Sequence, residues 1–357
     1  MALAVLAAAF IALVVSLASG NGSHEAAVGP QLTSRQLIGQ RMVFGYDGTT
    51  PPAALERRIR RGEAAGVILF GRNVGSPARL RRTLAALQRI HQPEELRAPL
   101  LVLVDQEGGP VRRLPGAPEL SAAATASAAQ ARAAGRGAGA NLRSVGANVD
   151  LAPVVDVARA GSALEGERRT YSRDAARVRQ LADAFARGLG DAGVAATYKH
   201  FPGFGAATVN TDDAPARIDK SLAEVRRVDL RPYEDPPEAV KLVMLSTAVY
   251  PARDPRPAAF SRRWATGELR DRLHFGGVSI TDDLQTPAVR RFGNPGQLAY
   301  FAVRAGVDLP LFSQDYGTGD QAADGLVTAL RAGRLDEAEL RTSAARVLAL
   351  RRSLAAG

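Results

Sequence analysis

Eight short runs rich in Val, Ile and Leu recur along the chain, each followed by a loop and then a segment whose apolar residues repeat at three- and four-residue steps. A strand that gives way to a helix before the next strand begins pairs in parallel, with the helices covering the sheet. The pattern predicts strands at about 42–46, 66–70, 100–105, 148–155, 195–200, 242–247, 278–282 and 306–312. Eight such units favour closure, so the expected fold is α/β, a single-domain (β/α)8 TIM barrel. Segments such as SPARLRRTLAALQRIHQ, DAARVRQLADAFARGLGDAG and RRWATGELRDRLHF supply the outer helices. The Ala-rich SAAATASAAQARAAGRGAGA reads as a helix with a small-residue face.

The first 20 residues, MALAVLAAAFIALVVSLASG, carry no charge and end in small side chains. They read as an export signal. Their length also reaches the lower edge of what spans a bilayer, so a retained N-terminal anchor stands as the alternative. The expected organisation is a signal or anchor at 1–20, a flexible polar linker at 21–33 and the barrel at 34–357, in an exported protein that is extracellular, in the cell wall or held at the membrane.

Cysteine is absent, which excludes disulfides, thiolate metal sites and a cysteine nucleophile. The net charge of +10 comes from arginine-rich runs such as LERRIRRG, which read as solvated helix faces. No nucleic-acid motif accompanies them, so no nucleic-acid partner is expected. A basic exported chain is drawn to an anionic cell wall or membrane surface. It is expected to act as a monomer.

In a parallel barrel the site forms at the C-terminal strand ends and the loops beyond them. There the chain places Asp105-Gln106-Glu107-Gly108-Gly109, with a glycine pair that allows close backbone approach to a ligand. Asp156, Glu167, Arg168 and Arg169 follow the fourth strand, and Lys199 and His200 end the fifth. Asn210, Thr211, Asp212 and Asp213 come next, then Asp282 and Asp283 after the seventh strand and Asp315 after the eighth. For single carboxylates, and Asp283 above all, capping of a following helix is the competing reading. As a set, carboxylates mixed with Lys, Arg and His suit sugar hydroxyls and an oxocarbenium-like transition state.

Other chemistries lack their residues. Of the four histidines, His24 falls in the tail, His91 on a helix and His274 at the opposite end of the barrel, and no H-x-x-x-H or H-x-H pair exists. No metal site or other cofactor is expected. Neither a phosphate-binding loop nor a G-x-S-x-G nucleophile elbow is present.

VDQEGGPVRRLPG, NVDLAPVVDV, GERRTYSRD, KHFPG and PAAFSRRWATGELRDRLHFGGVSITDDLQTPAV together resemble glycoside hydrolase family 3, in its single-domain bacterial β-N-acetylglucosaminidase (β-hexosaminidase) branch. The likeness runs from RQLIGQRMVFGY to the closing helices. It implies a retaining glycosidase whose partner is an N-acetylglucosamine-containing glycan or muropeptide from peptidoglycan. Asp282 would be the nucleophile, and Asp105, Arg169, Lys199 and His200 would hold the sugar, with Arg168 replacing Arg169 if the register shifts by one.

The chain departs from the family in two of these segments and in the sixth strand. Pro110 replaces an arginine in the first segment. In the fifth-strand loop the family reads K-H-F-P-G-H-G-x-x-x-x-D-S-H, and its last Asp and His form the acid/base dyad. Here the loop is KHFPGFGAATVNTD, with Phe204, Asn210 and Asp212 at the three changed positions. The sixth strand, VMLSTAVYP, also lacks the usual histidine. Candidate replacements for the proton donor are Asp212, expected to have a raised pKa if enclosed by Phe204 and other apolar groups, then Asp213, then Glu107. Two further readings remain open: a catalytically impaired homologue that still binds glycans, and a β-glucosidase-type specificity.

Overall fold

A computed structural model describes residues 32–354. The expected export segment and all but the end of the expected linker lie outside the described residues. Among the described residues, no helix is long and apolar enough to cross a membrane.

Eight parallel strands form the sheet: β1 Val43–Phe44, β2 Gly66–Leu69, β3 Leu101–Val104, β4 Val149–Asp150, β5 Ala195–Phe201, β6 Val240–Leu245, β7 Val278–Thr281 and β8 Leu311–Phe312. Each strand from β1 to β6 pairs with the next, and β8 pairs with β1. The parallel bridge Ile280↔Leu309 joins the last two strands and closes the barrel. Two strands are shorter than predicted because proline has no N–H to donate to a ladder. After Asp150 only the bridge Val154↔Lys199 continues past Pro153. Pro310 likewise confines β8 to the residues that follow it.

Alternation along the strands sorts the apolar residues into two layers. Leu101 and Leu103 point inward with Val43, Ile68, Val149 and Ile280, filling the barrel. Val102 and Val104 point outward into the larger layer beneath the helices. The closing helix Glu337–Ser353 adds Val347 and Leu350 to the interior layer. Its buried Arg351 anchors it, donating to Gln92 Oε1 at 2.6 Å and to the Ala98 carbonyl at 2.8 Å.

The predicted helices form with recognisable start signals. Ser76 caps Pro77–Gln88, with proline in its first turn, and Asp174 caps Ala175–Asp191 by accepting from Arg177 N at 2.7 Å. His91 lies beyond the end of Pro77–Gln88 and not on it, because that helix closes at Arg89. The Ala-rich stretch starts its helix only at Ala128–Val145, after a 3-10 turn at Ala122–Ala124. Its small-residue face meets Ala175–Asp191 so closely that a Cβ on Gly135 would sit 2.0 Å from the Phe185 carbonyl oxygen. The segment Arg263–Arg272 is wound as a π-helix.

Candidate active site

Loops at the C-terminal strand ends enclose a cavity of ≈ 380 Å³. Asp105, Arg169, Lys199, His200, Asp212 and Asp282 all line it. One wall is a buried ion network. The Lys199 Nζ donates to Asp105 Oδ1 at 2.8 Å and lies 2.7 Å from Glu107 Oε1. Arg169 grips both oxygens of Glu107, at 2.8 and 2.9 Å, and reaches Glu167 at 3.0 Å. Burial alone would neutralise these groups, but the partners outweigh it. Lys199 is held above its ordinary value by Asp105 and Glu107. Glu107 is pulled well below the usual carboxylate range by Arg169 and Lys199, and Asp105 is lowered by Lys199 and Arg113.

This network separates the predicted residues by role in the architecture. Glu107 is committed to two cations and stays ionised, which removes it as a proton donor. Arg168 is exposed with a left-handed backbone, φ 61°, while Arg169 lines the cavity. Gly108 and Gly109 do not open the backbone toward a ligand. They turn the small hairpin Gln106–Gly108/Val111–Arg112 and pack on Leu120 and Ser121.

Asp156 stands behind the cavity, fully buried. It accepts from the backbone N–H of His200 and Phe204 and lies 2.7 Å from His200 Nδ1. A carboxylate there fixes the imidazole by taking the Nδ1 proton in a hydrogen bond, leaving Nε2 for the cavity. Phe204 packs edge-on against the same ring, centroids 5.9 Å apart. Gly205 lets the loop close over Val157, since a Cβ there would lie 2.0 Å from the Val157 carbonyl oxygen. Gly205→Ala is therefore expected to destabilise the fold by about 1–3 kcal/mol, as overpacking does, measurable as an earlier urea midpoint. An unchanged midpoint would mean the loop does not need this approach.

The opposite wall carries carboxylates that form no ion pair among the described residues. Asp282 follows β7, and its Oδ1 accepts from Asp283 N at 2.9 Å. Among the described residues, no Lys, Arg or His forms an ion pair with it. Asp283 caps no helix. It ties two loops together, accepting from Gln285 N at 3.1 Å and Ser313 N at 3.2 Å, and burial raises its pKa. Asp315, by contrast, is a helix cap for Tyr316–Arg331, taking Thr318 N at 2.8 Å.

Asp212 faces this wall from the β5 loop. Asn210 positions it: the amide donates to Glu167 Oε1 at 2.9 Å, and its oxygen accepts from Asp212 N at 3.1 Å. Asp212 is not enclosed by Phe204, as the apolar-pocket expectation had it. Its side chain is exposed at the cavity mouth. Loss of hydration along the wall, then the charges of Asp282 and Asp283, raise its carboxyl to about 6. Contact with open solvent screens part of that effect. Asp213 is exposed and does not line the cavity.

Several lining groups were missed in the sequence. Arg113 lies 3.6 Å from Asp105 and over the Phe70 ring, and Arg72 stacks on the same ring. Asp150, buried beneath the network, accepts from Gln106 N at 3.0 Å, and burial drives its carboxyl well above the carboxylate range. An aromatic residue ending the β2 run and the paired arginines of VRRLPG were the signals available for Phe70 and Arg113.

The family profile "Glycosyl hydrolase family 3 N terminal domain" matches residues 33–350. An "Uncharacterized secreted glycosyl hydrolase" of Arthroderma benhamiae is 38% identical over 330 residues, covering 89% of this chain and 93% of its own length. A "Beta-hexosaminidase" of Pseudomonas aeruginosa is 36% identical over 287 residues, covering 79% and 84%. The structure of a β-N-acetylglucosaminidase from Paenibacillus sp. str. FPU-7 superposes with a TM-score of 0.84 at 35% identity. That match covers 92% of this chain but 64% of the Paenibacillus chain, so this chain spans less than two thirds of it.

Proposed function

The chain belongs to glycosyl hydrolase family 3, and from that premise we propose that it hydrolyses β-N-acetylglucosaminides of peptidoglycan-derived glycans by a retaining mechanism. The observation that carries the reading is the division of one cavity into a cation-rich grip and a pair of carboxyls without ion-pair partners, Asp282 and Asp212. Asp105, Arg169, Lys199 and His200 supply donors and acceptors for sugar hydroxyls, and the ion pairs behind them keep those groups oriented before substrate arrives.

In the first step an Asp282 oxygen attacks the anomeric carbon while Asp212 gives its proton to the departing glycosidic oxygen. A glycosyl ester on Asp282 results. In the second step Asp212, now ionised, takes a proton from water, which attacks the anomeric carbon and releases Asp282. Asp212 suits the first role because it sits among like charges that favour its protonated form. His200 is held by Asp156 for binding.

The barrel at 34–357 acts as a single catalytic domain and as a monomer. The first 20 residues export it, and the basic surface keeps it near the cell wall or membrane surface. Initial rates on para-nitrophenyl β-N-acetylglucosaminide and β-glucoside test the sugar assignment. The N-acetylated substrate is expected to be preferred. Preference for the glucoside would replace the assignment with a β-glucosidase, and no turnover with retained N-acetylglucosamine binding would favour a glycan-binding homologue.

A further inference from the structure

A second cavity, of ≈ 580 Å³, lies at the other end of the barrel. Arg41 reaches it from just before β1, Arg270 from the π-helix Arg263–Arg272 that precedes β7 and Asp308 from just before β8. Six arginines line it against three carboxylates, an excess of three positive charges.

The carboxylates are already engaged. Asp308, fully buried, accepts from Arg270 at 2.6 Å, Arg346 at 2.5 Å and the Ser343 hydroxyl at 2.7 Å. Glu339 pairs with Arg262 at 2.8 Å, and Asp336 caps Glu337–Ser353. That leaves three arginines unmatched. Arg304 and Arg334 are exposed and form no ion pair among the described residues, Arg334 lying over the Tyr300 ring. Arg41 is only 2% exposed. Its Nε and Nη2 donate to the carbonyls of Asp308 and Val307, at 3.1 and 2.6 Å, while Nη1 has no partner. A buried guanidinium nitrogen without an acceptor is costly, and a structural clasp around Asp308 alone would not require it.

We propose that this basal cleft is an anion site for a phosphate-class group, with Arg41 at its floor and Arg304 and Arg334 at its rim. Several planar donor forks around an excess of positive charge fit a polyvalent tetrahedral anion better than a single carboxylate. The group comes either from free phosphate or from an anionic phospholipid headgroup.

Calorimetry of the full chain with inorganic phosphate, against chloride at matched ionic strength, tests the site. Saturable binding specific to phosphate is expected. In Arg304→Ala/Arg334→Ala, which alters only exposed side chains, affinity should fall at least about tenfold while glycoside hydrolysis is unchanged. Arg41→Met should abolish binding if circular dichroism shows it folded. No saturable binding, or binding undiminished in the double variant, overturns the proposal. Vesicles of phosphatidylglycerol and of phosphatidylcholine separate the sources. Retention on phosphatidylglycerol that the double variant loses assigns a headgroup, whereas phosphate binding with equal vesicle retention by both proteins assigns free phosphate.

Discussion

Asp282→Asn is expected to lower kcat/KM for the β-N-acetylglucosaminide by on the order of 10⁴ or more, with KM changed far less than kcat. The amide is nearly the same size and can still accept from the Asp283 N–H, so the loop after β7 keeps its shape. What is lost is the negative oxygen that bonds to the anomeric carbon. A role confined to folding or sugar binding would instead appear in KM or in stability. Asp282→Ala sharpens the distinction, because it leaves room for a small external nucleophile. Azide should restore turnover of a substrate with a good leaving group and yield the α-glycosyl azide. Near wild-type kcat in Asp282→Asn would remove this residue from the chemistry.

Asp212→Asn should cost on the order of 10² to 10⁴ in the glycosylation step with an unactivated alkyl or sugar leaving group, and much less with para-nitrophenolate, which departs without a proton. The pH profile gives an independent readout. An acid works only while protonated, so kcat/KM on the unactivated substrate should fall as pH rises through about 6, the value to which lost hydration and the neighbours Asp282 and Asp283 raise this carboxyl. The asparagine variant should lose that limb along with the rate. A limb that persists in Asp212→Asn belongs to another group, and Asp213→Asn serves as the control on the same loop. Glu107 makes a poor substitute because two cations hold it ionised.

The barrel was legible because each strand carries its own apolar run and each helix its own period, signals local to a dozen or so residues. Proline explains where the strands stop short. The cavity was legible where a motif marks it, as KHFPG marks Lys199 and His200 and the segment SITDD marks Asp282. Less legible were roles set by distant partners. Nothing local in NVDLAPVVDV distinguishes Asp156, which orients His200, from Asp150, whose carboxyl is pushed up by burial beneath the network. Asp315 resembles a site residue in sequence yet caps a helix. Asp212 owes its raised pKa to lost hydration along the cavity wall and then to Asp282 and Asp283, which lie far along the chain. The basal cleft joins Arg41 to Arg304 and Arg334, and no sequence window contains all three.

The most direct test is to trap the glycosyl ester. Without Asp212 to activate water, the Asp212→Asn variant mixed with para-nitrophenyl β-N-acetylglucosaminide should load quickly and discharge slowly. Mass spectrometry of the intact protein should then show one added N-acetylglucosaminyl residue, mapped by peptic digestion to the peptide containing Asp282. Turnover with no adduct, or an adduct on another residue, would contradict the assignment of Asp282 as nucleophile and Asp212 as acid/base.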